Sequence, residues 1–240
     1  MHFMKLRCII HFAFLFLLHH TIQAQAEVIR VKAGEDISKA ISDYGKFRFD
    51  SFRQGRLYYT YGKTATARFN YNYLIEEMQF INPESGDTLA IAYPDQVRFI
   101  KFDSTIFYYN EGFMEIIKDY DTVKIAKKQK IKITFEKIGA YNQPNVTDDI
   151  DNNETYVDEH NMYYKLIINQ DAIIKKQIDW YLITSDNERP VRADKAGFEK
   201  LYPGHTSAIR NFLKTKKDGL KDLESITQLL LICCDRSIVR

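Results

Sequence analysis

Arg56-Leu57-Tyr58-Tyr59-Thr60-Tyr61-Gly62-Lys63-Thr64-Ala65-Thr66-Ala67-Arg68-Phe69-Asn70-Tyr71-Asn72 is the stretch whose reading decides the fold. Aromatic and β-branched residues crowd both halves, and such residues suit a pleated, half-buried surface. Gly62-Lys63 lies between the two runs, and a Gly-x pair in that place signals a two-residue hairpin. The stretch therefore predicts two antiparallel strands.

The same alternation of strand and turn continues downstream. Tyr73 to Ile81 reads as the next strand, and Asn82-Pro83-Glu84-Ser85-Gly86-Asp87 as a chain reversal built from turn-forming residues. Thr88 to Tyr93 is a further strand, followed by a turn at Pro94-Asp95. In Val97 to Phe102, Val97 and Phe99 fall on one face and Arg98, Ile100 and Phe102 on the other. After a turn at Asn110-Glu111-Gly112 come Phe113 to Ile117, then Thr122 to Ala126 and Lys130 to Phe135. The last two alternate as half-buried antiparallel strands do. Closely spaced strands without intervening helices predict an antiparallel sandwich, meander or open barrel.

The flanks differ. Glu35 to Ile41 spaces its apolar residues as a short helix. Gln143 to Asn161 is rich in Asn and Asp, holds Pro144 and shows no apolar period, so it reads as a long polar loop or linker. Strands resume at Met162 to Ile168 and Ile178 to Ile183. Beyond them Asp194 can cap a helix through Leu201, and Thr206 or Ser207 can cap a second. Leu220, Leu223, Ile226 and Leu230 form a helical stripe. The fold class expected is α+β: an antiparallel β-rich domain followed by short C-terminal helices packed on it. The expected organisation is a signal peptide at 1–26, a β-rich domain at 27–141, an acidic loop at 142–161, further strands at 162–193 and helices at 194–240.

The first 26 residues follow the three-part plan of an export signal. Lys5 and Arg7 make a basic start, Cys8 to Leu18 an apolar run, and Ala24-Gln25-Ala26 a small-x-small cleavage site. The run is too short for a permanent membrane helix, which needs about 20 residues. Cleavage would leave 214 of the 240 residues, and would lower the formal charge from +2 to zero. A neutral chain argues against nucleic-acid binding, which calls for a basic face. No later apolar run is long enough to cross a membrane as a helix, so none is expected in the mature chain. The mature chain would keep only Cys233 and Cys234. Neighbouring cysteines rarely bond to each other, so the fold must stand on its core.

Gly55 to Phe102, with Ala65 to Asn72 and then Glu77-Met78-Gln79-Phe80, resembles uncharacterised exported proteins of Bacteroidetes-type bacteria. The tail is similar as well, through Phe198 to Pro203 and Asp222-Leu223. Phe69 stands where those proteins are expected to have Leu. The resemblance implies an envelope or secreted location and brings no activity or catalytic residue with it.

Catalytic patterns are weak. Glu76 and Glu77 on a strand would point to opposite faces and make a poor acid/base pair. Asp149, Asp151 and Asn153 begin like a calcium loop, but Glu154 stands where Gly is needed and His160 where a bidentate Glu is needed. His160 and His205 have no partner at metal-ligand spacing. No catalytic residue, metal or cofactor is expected.

Aromatics remain. Tyr58, Tyr59, Tyr61, Tyr71 and Tyr73 crowd one hairpin, and alternation puts about half of such a set on the outer face. They are the candidate ligand-binding residues, suited to a carbohydrate or to an envelope protein, because tyrosine joins an apolar face to a polar tip. The function expected is an exported, non-enzymatic envelope or secreted protein that acts by binding or structural contact. Two readings stand beside it: an enzyme with a dispersed site, and a peripheral subunit of an envelope complex docking through its helical tail.

Overall fold

The computed structural model describes residues 28–138, 144–149, 171–185, 189–216 and 219–234. The expected export signal at 1–26 and the expected strand Met162 to Ile168 lie outside the described residues. So do Asp151, Asn153, Glu154 and His160.

The deciding stretch is a hairpin. β2 (Arg53–Tyr59) pairs antiparallel with β3 (Thr64–Asn72). Its turn is longer than a two-residue loop. Tyr59 N–H donates to Lys63 O at 2.9 Å, and Gly62 N–H donates to Tyr59 O at 3.1 Å. Gly62 sits at φ +86°, a left-handed conformation that costs glycine little, and it turns the chain within Thr60 to Gly62.

The strands β4 (Glu77–Ile81), β5 (Thr88–Ala90), β6 (Val97–Phe102), β7 (Thr105–Tyr109), β8 (Phe113–Asp119) and β9 (Val123–Ile138) extend the sheet. With β1 (Val28–Val31) and β11 (Ala172–Thr184) the order is β1-β11-β9-β8-β7-β6-β2-β3-β4-β5. Every neighbouring pair is antiparallel, so the expected fold class holds; β2 to β5 and β6 to β9 each run as a meander, and the chain crosses back after β5 so that β6 pairs with β2.

Tyr73 to Glu76 is a turn and not the start of a strand; Glu76 takes φ +55° there. Its carboxylate reaches Lys128 Nζ at 2.9 Å and Lys130 Nζ at 3.5 Å. That contact bears on a second difference. Thr122 to Ala126 and Lys130 to Phe135 are two parts of one strand, β9. Lys127-Lys128-Gln129 reads as a break because it is polar. In the fold Lys127 faces Glu115 across the ladder, and Lys128 and Lys130 meet Glu76, so the strand runs through. A third difference lies in the stretch read as a loop. β10 (Pro144–Asp149) pairs with the far end of β9, where β9 outruns β8 and its edge needs hydrogen-bond partners.

The sheet curls back on itself. Ile131 N–H of β9 donates to Tyr73 O at 2.8 Å, bringing the turn after β3 beside β9. The enclosed side holds the larger core. Leu57, Phe69, Tyr71, Ile100, Phe102, Phe107, Phe113, Ile131 and Ile133 are all buried there, with Ile37 and Ile41 of α1 (Ile37–Tyr44). Gly55 makes room: a Cβ there would lie 3.0 Å from the Phe102 ring and 3.1 Å from Phe69.

A second core sits at the other end of β9 and β11. Val123, Ile125 and Leu182 pack with Phe198 of α2 (Lys195–Leu201), Ile209 of α3 (Thr206–Thr215), and Ile226, Leu229 and Leu230 of α4 (Leu223–Cys233). The two-residue strand β12 (Val191–Arg192) leads in from β11. Asp194 and Asp222 cap α2 and α4 through Gly197 N–H at 2.9 Å and Ser225 N–H at 2.7 Å. At α3 the capping expectation fails: the N-cap is His205, and Thr206 Oγ1 donates backwards to Pro203 O. The helices dock on the sheet as expected, and Trp180 Nε1–H donates to Lys221 O at 3.0 Å. No helix among the described residues is long and apolar enough to cross a membrane.

Candidate functional site

The core-facing side chains of β3 run Ala65, Ala67, Phe69, Tyr71. The two large ones fill the interior. The two alanines leave space, and a groove of about 440 Å³ opens there at the mouth of the curled sheet. Its floor is Leu57, Phe69 and Phe80; Ile91, Ala92 and Pro83 form one wall. Tyr59, Tyr61 and Tyr93 stand at the rim, with Gln96 nearby. Tyr59 and Tyr61 stack with ring centroids 5.0 Å apart and planes 18° apart. Tyr61 is 56% exposed and Tyr93 68%. Among the described residues no charged side chain lines the groove.

The groove also has a free backbone edge. β3 pairs with β2 from Thr64 onward, but its pairing with β4 begins only at Arg68, opposite Ile81. Among the described residues, no strand covers the β4 side of Thr64 to Ala67. The Tyr59–Lys63 hydrogen bond sets the phase of the β2–β3 ladder. Antiparallel alternation then turns the backbone groups of Ala65 and Ala67 toward β2, and those of Thr64 and Thr66 toward the open side. Thr66 is itself part of the groove wall.

The five tyrosines expected to bind a ligand are thus divided. Tyr59 and Tyr61 belong to the groove. Tyr58 lies on the opposite face of β2, stacked on Phe99 at 4.3 Å. Tyr71 and Tyr73 are core residues, 1% and 5% exposed. Their rings meet at 5.6 Å, and Tyr71 packs against Phe107 at 5.3 Å. Burial raises the pKa of both phenols. Among the described residues the Tyr71 hydroxyl has no hydrogen-bond partner. The physical reason for the division is the closure of the sheet: the inner face of β3 is exposed at Ala65 and covered by Tyr71.

Against protein-family models, curated proteins and solved structures, the chain matches none.

Among the described residues the groove lining holds no acid, imidazole or thiol; its polar side-chain groups are the hydroxyls of Tyr59, Tyr61, Tyr93 and Thr66 and the amide of Gln96. What it can do is bury an apolar surface and satisfy a short run of backbone. Three of its residues escape a search for aromatic clusters: Tyr93, isolated before Pro94, and the pair Ala65 and Ala67. Two alanines on one face of an otherwise aromatic strand are the available signal. No group of acidic, histidine or cysteine side chains suited to a metal occurs among the described residues.

Proposed function

We propose that this is an exported, non-catalytic binding protein of the cell envelope, and that its groove takes an extended apolar segment of another envelope protein as an added strand. The observation that carries this reading is the uncovered half of β3. Thr64 and Thr66 offer backbone donors and acceptors beside an uncharged groove. Strand addition uses such a pair of features: the backbone supplies affinity, and pockets for alternate side chains supply selectivity. The export half of the reading rests on the Ala24-Gln25-Ala26 site and is checked by the N-terminal sequence of protein recovered from the envelope fraction.

The test of binding is calorimetric titration with the neutral peptide acetyl-Ser-Val-Thr-Val-Thr-Val-Ser-amide. Thr66→Pro removes the outward N–H at a position where an edge strand tolerates proline. The peptide binds the parent protein, and the variant loses at least tenfold in affinity with its melting temperature within a few degrees. Equal affinity for both proteins contradicts strand addition. A second reading draws on the exposed faces of Tyr61 and Tyr93, which suit a sugar ring. A neutral oligosaccharide that binds while the peptide does not would favour it.

A further inference from the structure

The outer face of the same hairpin carries a different chemistry. Strands β2, β3 and β6 hold Arg53, Arg56, Arg68, Arg98 and Lys101, and no Asp or Glu. Three of these cations share one face. Arg56 lies directly opposite Lys101 on β6, and directly opposite Thr66 on β3; Arg68 is two residues beyond Thr66. Strand spacing puts Arg56 about 5 Å from Lys101 and about 8 Å from Arg68, and the outer two about 12 Å apart. All three are exposed, and none makes an ion pair among the described residues.

Like charges placed directly opposite each other weaken a sheet. The β8–β9 ladder avoids this by setting Glu115 against Lys127 and Asp119 against Lys124. The Arg56–Lys101 pair has no such relief among the described residues. The nearest acid along these strands, Asp103, lies in the turn after β6. Beside the cations the face turns aromatic: Tyr58, two residues from Arg56, stacks on Phe99 at 4.3 Å, and both rings are half-buried. Gln54 and Thr64 add exposed uncharged polar groups.

We propose that this face binds an acidic polysaccharide, with successive carboxylates over Lys101, Arg56 and Arg68 and a sugar ring against Tyr58. Charge complementarity sets the sign of the ligand, and the spread of the three cations calls for a polymer with repeated acidic groups. β2 and β6 have both neighbours paired where they carry Arg56 and Lys101, so they offer no free backbone to an acidic peptide. The apolar side chains of this face are half-buried and none projects for entry into a bilayer. This ligand is independent of the groove, which opens on the opposite side of β2 and β3.

The test is calorimetric titration of the purified protein with an octameric oligogalacturonate, at low and at physiological salt. The octamer binds, more tightly at low salt, and an uncharged dextran oligomer does not. The triple variant Arg56→Gln, Arg68→Gln, Lys101→Gln loses at least tenfold in affinity. The charge-matched control Lys118→Gln, Lys200→Gln, Lys214→Gln stays within twofold of the parent. Arg68→Gln alone, at an exposed site, loses a measurable part and serves if the triple variant misfolds. Equal binding by the triple variant overturns the proposal. So does binding of a poly-glutamate peptide or of phosphatidylglycerol vesicles as tight as that of the octamer at matched charge.

Discussion

Ile131 N–H donates to Tyr73 O at 2.8 Å, joining the turn after β3 to the middle of β9. These residues are 58 positions apart, and β8, β7, β6 and β2 separate their strands in the sheet. The bond makes one curled enclosure of the sheet, and the groove is its mouth.

Leu74 follows Tyr73 in that turn and is fully buried. Leu74→Ala removes the side chain that anchors the closure. The expected cost is about 3 kcal/mol, within the range of buried Leu→Ala changes. Urea unfolding measures it; a loss below about 1 kcal/mol would mean that the closure does not hold the fold.

Glu115 lies beyond the same closure, its side chain 7% exposed. It accepts Arg48 Nε–H and Nη2–H, both at 2.8 Å, and lies 3.5 Å from Lys127 Nζ. Glu115→Ala strands two cations. Arg48 and Lys127 stay 30% and 19% exposed and regain some hydration. The expected loss is therefore about 2 kcal/mol, below the ~3–5 kcal/mol of a fully buried pair. Chemical denaturation of the variant checks it.

Leu230 of α4 is fully buried in the cluster that includes Ile125 and Leu182 of the sheet. Leu230→Ala is expected to cost about 3 kcal/mol. Helices and sheet are expected to unfold in one transition. Trp180, the single tryptophan of the chain, reports on this boundary through its bond to Lys221 O. Its fluorescence and the far-ultraviolet dichroism should give one midpoint in parent and variant alike. Two separated midpoints would show an independent helical module.

Burial, with Cys234 beside it, raises the Cys233 thiol to about 11. A raised thiol pKa leaves less thiolate, about one part in a thousand at pH 8. Cys234 is half-buried and its Sγ lies 3.4 Å from Tyr202 Oη. Peptide mapping after brief iodoacetamide treatment at pH 8 should find Cys233 unmodified in the folded protein and modified in urea. Fast labelling of Cys233 in the folded state would contradict its place in the core.

Much of this architecture is legible residue by residue. Strand-forming runs between turn signals locate the strands from Arg56 to Phe135, β7 excepted, and Asp194 marks the first residue before a helix because its carboxylate meets a free N–H. The stripe Leu220, Leu223, Ile226, Leu230 finds the face of α4, although buried Leu229 belongs to it and Leu231 and Ile232 are exposed. Three of the misses are tertiary in origin. Lys127 to Gln129 reads as a break until Glu115 arrives from β8 and Glu76 from the turn after β3. Tyr71 and Tyr73 read like Tyr59 and Tyr61 until the closure at Ile131 covers them. Which half of β3 is open is decided by where β4 ends, at Ile81, and no local pattern on β3 carries that.

Hydrogen exchange at the amides of Thr64 and Thr66 tests strand addition most directly. In the free protein both face the uncovered side of β3 and should exchange quickly, while Ala65 and Ala67, bonded to β2, exchange slowly. Saturating acetyl-Ser-Val-Thr-Val-Thr-Val-Ser-amide should slow Thr64 and Thr66 by at least tenfold and leave Ala65 and Ala67 unchanged. Peptide binding without protection of these two amides, or slow exchange at both in the free protein, would contradict the proposal that this edge receives a strand.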